Sequence, residues 1–221
     1  MAGVLITVEG VEGSGKSTQI QRLSSRLRGA GIPLVVSKEP GGTALGVELR
    51  RLLLAHHESG DIWSPEAELL LFYADRAQHL ATLVKPALQS GKVVLVDRFE
   101  DSSWAYQGAR GVPSEDLSRL RDVVLKGFKP DLTLILDMNP EASLCRVEAR
   151  NRGLGNTFLE TRFDQEALDY HRRVRAIFLD IAAREPDRIA LVPAEGPPDE
   201  VEQAIWAVVA PFLRKHGFEV A

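Results

Sequence analysis

Residues 10–18 read Gly-Val-Glu-Gly-Ser-Gly-Lys-Ser-Thr, which satisfies the spacing G-x-x-x-x-G-K-[ST]. Chemistry at such a stretch is phosphate binding. Gly10, Gly13 and Gly15 let successive backbone N–H groups turn toward one point, and Glu12, Ser14 and Thr18 lie in the same turn. Lys16 brings a full positive charge to the outer phosphates of a nucleotide, and the Ser17 hydroxyl is a ligand of the type Mg²⁺ takes there. A helix opening at Lys16 would point its positive end at the same anion. The bland alternative, a glycine-rich turn that only joins two elements, is set against this by context. Val4-Leu5-Ile6-Thr7-Val8 before it suits a buried strand, and Gln19-Ile20-Gln21-Arg22-Leu23 after it suits a helix.

Other residues could serve chemistry but are ambiguous when read by spacing. Phe72 and Arg76 are four apart on a helical pattern, so they share a face. They fit an aromatic platform with a guanidinium beside it, and equally a core ring with a surface charge. Asp97 and Arg98 end a strand pattern and precede a polar helix start. Asp97 could hold Mg²⁺ and Arg98 could clamp a phosphate through two parallel hydrogen bonds, or the two could form a surface pair. Arg50 and Arg51 follow a Pro-Gly-Gly turn and read alone as solvated charges. Segment 141–175 holds seven arginines, six acidic residues and no lysine. Arg146, Arg150, Arg152, Arg162, Arg172, Arg173 and Arg175 fit planar phosphate recognition, or a hairpin of helices laced with ion pairs. The five histidines show no metal-ligand spacing and read as packed or solvated.

Five short apolar runs must carry these groups: residues 4–9, 34–37, 93–97, 132–137 and 189–192. They are continuous rather than alternating, as in strands buried on both faces. Helical periodicity fills the stretches between them, including 67–88 and 166–184, and Ser64-Pro65 reads as a helix cap and first turn. Strands alternating with helices predict an α/β fold with a five-stranded, mainly parallel sheet, helices on both faces and ligands at the C-terminal strand ends. Residues 1–221 are expected to form a single domain, because neither a linker nor a repeat interrupts them.

Composition narrows the function classes. The net charge of −4 argues against electrostatic capture by nucleic acid or an anionic membrane. No apolar run reaches the ~20 residues of a spanning helix, and no secretory leader is expected from the first residues. Cys145, the one cysteine, excludes an internal disulfide and suits a reducing cytoplasm; on its helical pattern it reads as a packed thiol.

Taken together, these blocks resemble the thymidylate kinase family. The resemblance rests on the phosphate loop, the Glu39-Pro40-Gly41-Gly42-Thr43 turn, Leu71-Phe72-Tyr73-Ala74-Asp75-Arg76, and Asp97-Arg98-Phe99-Glu100-Asp101-Ser102-Ser103-Trp104-Ala105-Tyr106-Gln107-Gly108, in that order along nearly the whole chain. It implies a P-loop NTPase-like three-layer kinase that moves the ATP γ-phosphoryl group to dTMP with Mg²⁺, acting as a homodimer. By the same resemblance Phe72 stacks on thymine, Arg76 bonds the base edge, and Ser103 and Gln107 complete base recognition. Tyr106 lies against the sugar, Glu12 lies near the 3′-hydroxyl or a Mg²⁺ shell, and Arg50 and Arg98 hold the acceptor phosphate.

Gly13 stands where one style of the family carries an arginine after the loop carboxylate. The chain therefore resembles the bacterial style, which supplies positive charge from a lid, here about 148–162, with Arg150, Arg152 and Arg162 as its arginines. Lys38 departs from the arginine common before Glu-Pro-Gly-Gly. The loop Pro193-Ala194-Glu195-Gly196-Pro197 is a plausible adenine contact from its position after the last strand. Two other readings stay open from sequence: a kinase for a different nucleotide, and a P-loop switch or assembly ATPase.

Overall fold

The computed structural model describes residues 2–54, 62–153 and 166–220, with 150–153 described by backbone alone. Five strands, β1 (Val4–Glu9), β2 (Leu34–Lys38), β3 (Val93–Asp97), β4 (Leu132–Asp137) and β5 (Ile189–Pro193), form one sheet in the order β2-β3-β1-β4-β5. Every pairing is parallel, so the expected mainly parallel sheet is wholly so.

The apolar runs are continuous because helices cover both faces. Val4, Ile6, Val93 and Leu95 pack in one cluster with residues of α1 (Lys16–Gly29), α8 (Leu168–Arg184) and α9 (Pro198–Lys215). Leu5, Val94 and Val96, their neighbours in sequence, enter another with Leu80, Val84, Ala87 and Phe99. Burial on both faces holds for β1, β3 and β4 but not for β2 and β5. Those two are the edge strands, which lack a neighbour on one side.

The remaining helices are α2 (Ala44–Leu54), α3 (Pro65–His79), α4 (Lys85–Gln89), α5 (Glu100–Ala109), α6 (Ser114–Leu125) and α7 (Pro140–Gly153). Ser64 caps α3 by accepting from the Ala67 N–H at 3.2 Å, with Pro65 at the first position. The helical stretch expected over 67–88 is broken in its hydrogen-bond pattern by one π-helical turn at Leu80–Val84, before Pro86 opens α4. The C-terminal ends of β1, β2 and β3 therefore stand side by side. Their register pairs Val8 with Asp97 and Lys38 with Asp97, which delivers Glu9, Glu39 and Arg98 to one edge.

Candidate active site

The phosphate loop connects β1 to α1 with no side-chain cap on the helix and no acidic residue in its first turn, so its leading N–H groups face an anion site. Two glycines are required by close approach. A Cβ on Gly10 would sit 2.6 Å from the Leu136 carbonyl, and one on Gly13, at φ +72°, 2.5 Å from the Ser143 carbonyl. Lys16 donates to the Gly10 and Val11 carbonyls at 2.9 and 2.8 Å. Burial, and then Arg98, lower its pKa to about 8 against the pull of Asp97 and Glu12.

Beside this loop lies a cavity of about 320 Å³. Lys16, Ser17 and Asp97 line it together with Glu12, Arg50, Phe72, Arg76, Arg98, Ser103, Tyr106 and Gln107. Residues from the phosphate loop and from α2, α3 and α5 thus converge with the end of β3.

Arg98 is the hub on the phosphate side. Its backbone takes a left-handed φ of 67°, a conformation that a side-chain-bearing residue adopts at a cost. Its guanidinium donates to Glu12 Oε1 at 2.9 Å, Ser102 Oγ at 3.1 Å and the Gly10 carbonyl at 3.2 Å. It also lies 4.7 Å from the Tyr106 ring centre. Tyr106 donates to the other Glu12 oxygen at 2.9 Å. Burial works against the Glu12 charge, yet Arg98, His171, Lys16 and Tyr106 outweigh it and hold the carboxyl down at about 2. Ionised Glu12 and cationic Arg98 therefore face the cavity as a fixed pair.

Arg76 is the hub on the other side, with only 2 % of its surface exposed. It donates to Glu39 at 2.8 Å, Glu100 at 3.1 Å, Ser103 Oγ at 2.9 Å and the Phe99 carbonyl at 2.8 Å. Burial opposes its charge, but Glu39 and Glu100 raise its pKa above the ordinary arginine value. Glu39 also accepts from His79, and Gln107 is held by Glu68 at 2.8 Å. Phe72 is half-buried at the cavity wall. An immobilised guanidinium and amide beside a ring suit recognition of a flat polar ring.

A second, more open groove of about 790 Å³ runs along the other side of the phosphate loop. Gly13, Ser14, Gly15, Ser17 and Thr18 line it on one side, and Ala194, Glu195, Gly196 and Pro197 on the other. Arg146 donates to the Ala194 and Glu195 carbonyls at 3.1 and 2.9 Å, which ties α7 to that loop. The phosphate loop thus stands between two compartments, and Gly13 and Ser17 line both.

The family model for thymidylate kinase matches residues 8–205. The chain belongs to the thymidylate kinase family. It is 45 % identical over 215 residues to the thymidylate kinase of Desulfovibrio desulfuricans, covering 97 % of this chain and 98 % of that one. It is 47 % identical over 211 residues to that of Synechococcus sp., covering 95 % and 96 %. The crystal structure of thymidylate kinase from Ehrlichia chaffeensis superposes with a TM-score of 0.74 at 29 % identity, covering 95 % of this chain and 100 % of that one.

Against this thymidylate kinase frame, the catalytic set expected from sequence divides in two. Lys16 and Arg98 meet at the cavity, whereas the side chains of Arg150 and Arg152, and all of Arg162, lie outside the described residues. Cys145 corrects an expectation: it is exposed, not packed. Ser143 and Val147 take the buried face of α7, and Cys145, two residues from each, points away from it. Sequence reasoning also missed Glu9, Ser102 and His171, all buried within the thymidylate kinase site or directly beneath it. Glu9 reads as the last residue of a strand, and His171 as one of several scattered imidazoles, although its Nδ1 lies 3.5 Å from Glu12.

Among the described residues, no group of three or more His, Cys, Asp or Glu could hold a metal. Asp97 does fit a cation carried in by nucleotide, since its Oδ1 is buried with no hydrogen-bond partner at the cavity Ser17 also lines.

Proposed function

We propose that this protein transfers the γ-phosphoryl group of ATP to the 5′-phosphate of dTMP, giving dTDP and ADP. One observation carries the reading: the phosphate loop stands between a groove along the loop 194–197 and a cavity that brings Phe72, Arg76 and Gln107 together with Arg98.

Thymine would stack on Phe72 and meet Arg76, Ser103 and Gln107. Tyr106 and the Glu12 carboxylate it bonds would take the sugar and disfavour a ribose 2′-hydroxyl. Arg98 and Arg50 would hold the acceptor phosphate, and Arg50 is already turned inward by its 2.9 Å bond to the Pro40 carbonyl. The acceptor oxygen is anionic before reaction, so no strong general base is needed. Catalysis consists of alignment and of cancelling the repulsion between two phosphates. Lys16 and Arg98 supply that charge, with Arg150, Arg152 and Arg162 added from a lid over about 148–162 of a single-domain chain. Ser17 and Asp97 would hold Mg²⁺, which neutralises phosphate charge when bound.

Adenine would occupy the groove that Arg146 and the loop 194–197 border together. Exposed Leu45, Val47 and Leu52 on α2, Leu70 on α3 and Val123 on α6 support a homodimer packed helix to helix. A cytoplasmic location is part of the same reading; no described helix is long and apolar enough to cross a membrane.

A coupled ADP-release assay with dTMP, dUMP, dCMP, dGMP, AMP, CMP, UMP or GMP as acceptor tests the reading. Strong turnover with dTMP is expected. Turnover with a different acceptor alone would overturn the base assignments, and hydrolysis of ATP with no acceptor preference would favour a switch ATPase.

A further inference from the structure

We propose that Glu9 is a positioning residue for phosphoryl transfer, aiming the Arg98 guanidinium through the hydroxyl of Ser102. The inference rests on the reading of Arg98 as the clamp on the acceptor phosphate.

Glu9 ends β1 and is wholly buried. Each of its oxygens accepts a hydrogen bond: Oε1 from the Phe99 N–H at 2.7 Å, and Oε2 from the Ser102 hydroxyl at 2.5 Å. Phe99 directly follows Arg98, whose φ of 67° is the strained point of the turn. Glu9 therefore pins the backbone on the far side of that strain. Phe99 is also the residue before the first helical one of α5, so Glu9 fixes the point where that helix starts.

The second contact concerns proton placement. Ser102 Oγ touches Glu9 on one side and Arg98 Nη1 on the other, at 3.1 Å. A hydroxyl has one proton, and a guanidinium can only donate. With the proton given to Glu9, the serine lone pairs face Arg98 and the chain of donors is consistent throughout. The short O–H···O distance matches a charge-assisted bond to a carboxylate.

The charges around Glu9 oppose one another. Burial, and then Asp101, raise its carboxyl to about 8 although Arg98, Ser102 and Phe99 pull the other way. The geometry sides with those three, because a proton on Oε2 would turn the Ser102 hydroxyl proton toward a guanidinium that cannot accept it. Asp101 is itself compensated, since Arg188 grips both of its oxygens at 2.8 and 2.9 Å.

Glu9→Gln keeps shape and size but places an amide N–H₂ against Ser102, turning the hydroxyl proton toward the guanidinium. The test is a double-mutant cycle of Glu9→Gln and Ser102→Ala read on kcat, with Arg98→Ala alongside. Each single variant is expected to lower kcat on the order of tenfold, as for other outer groups that orient an active side chain. The ATP KM should hold, and the double variant should be no slower than the worse single one. A purely structural role would instead lower thermal stability while the two kcat losses multiply, and that result overturns the proposal. Wild-type kcat in Glu9→Gln, with Arg98→Ala impaired, would also overturn it while leaving the phosphate clamp standing. Wild-type kcat in Arg98→Ala would remove the clamp itself. Should Glu9→Gln not fold, Ser102→Ala decides alone: a kcat loss at constant ATP KM supports the relay, and unchanged kcat ends it.

Discussion

The two compartments flanking the phosphate loop are built on different terms. The smaller cavity, about 320 Å³, is walled by side chains already committed to one another: Arg76 to Glu39, Glu100 and Ser103, Arg98 to Glu12 and Ser102, Gln107 to Glu68. The larger groove, about 790 Å³, is formed mostly by loop residues 13–18 and 194–198, with Arg146 as a brace. Triphosphates are common to all nucleotide donors, and backbone N–H groups suffice to hold them. Telling one base and sugar from another needs polar groups fixed in place, so that a wrong acceptor leaves them unpaired. On the proposed reading, the difference teaches that selectivity is concentrated on the acceptor side, in buried charge that neighbouring side chains hold in place.

The largest effect should follow from breaking that buried network. Arg76→Met leaves Glu39 and Glu100 buried without their cation, a loss of about 3–5 kcal/mol for a broken buried pair. Thermal or urea denaturation would read it, and a change under 1 kcal/mol would mean the network is not prewired. Next, Arg98→Ala and Lys16→Met should each lower kcat by more than ~100-fold with the fold intact, because these charges act chiefly on the transferring group. Steady-state rates at saturating substrates check this, and near-normal turnover would remove the residue from the catalytic set. Phe72→Ala should raise the dTMP KM by about tenfold, the scale of one lost aromatic contact, while the ATP KM stays put. Movement of the ATP KM instead would erase the division between compartments.

The smallest effect lies in pH. The folded-state pKa of Lys16, about 8, is below its unfolded value of ~10.4. Between these two values the unfolded chain binds more protons, so stability gains with rising pH. Wild type should gain on Lys16→Met by about 1 kcal/mol between pH 8 and pH 9, close to the slope of one proton. Denaturation curves across that range that stay parallel would exclude a buried, charge-strained lysine.

Much of this arrangement was legible in the chain. The phosphate loop carries its own spacing, and β1, β3 and β4 are apolar throughout because both of their faces are covered. The edge strands blurred by one residue each, at Lys38 and Pro193, where exposure removes the apolar signal. Phe72 and Arg76 stood at the right spacing, yet spacing could not separate a buried hub from a surface charge. That depends on Glu39 and Glu100, which come from other elements. Glu9, Ser102 and His171 were illegible for the same reason: their partners are distant in sequence and meet only through the parallel register. Cys145 went the other way, since an apolar-looking helix segment does not say which face is covered.

Calorimetric titration of dTMP into nucleotide-free protein tests the prewired acceptor cavity most directly. Saturable binding without ATP, weakened about tenfold in Phe72→Ala and unchanged in Arg146→Ala, is the expected result. Binding of dTMP that appears only after a nucleotide fills the donor groove would contradict it.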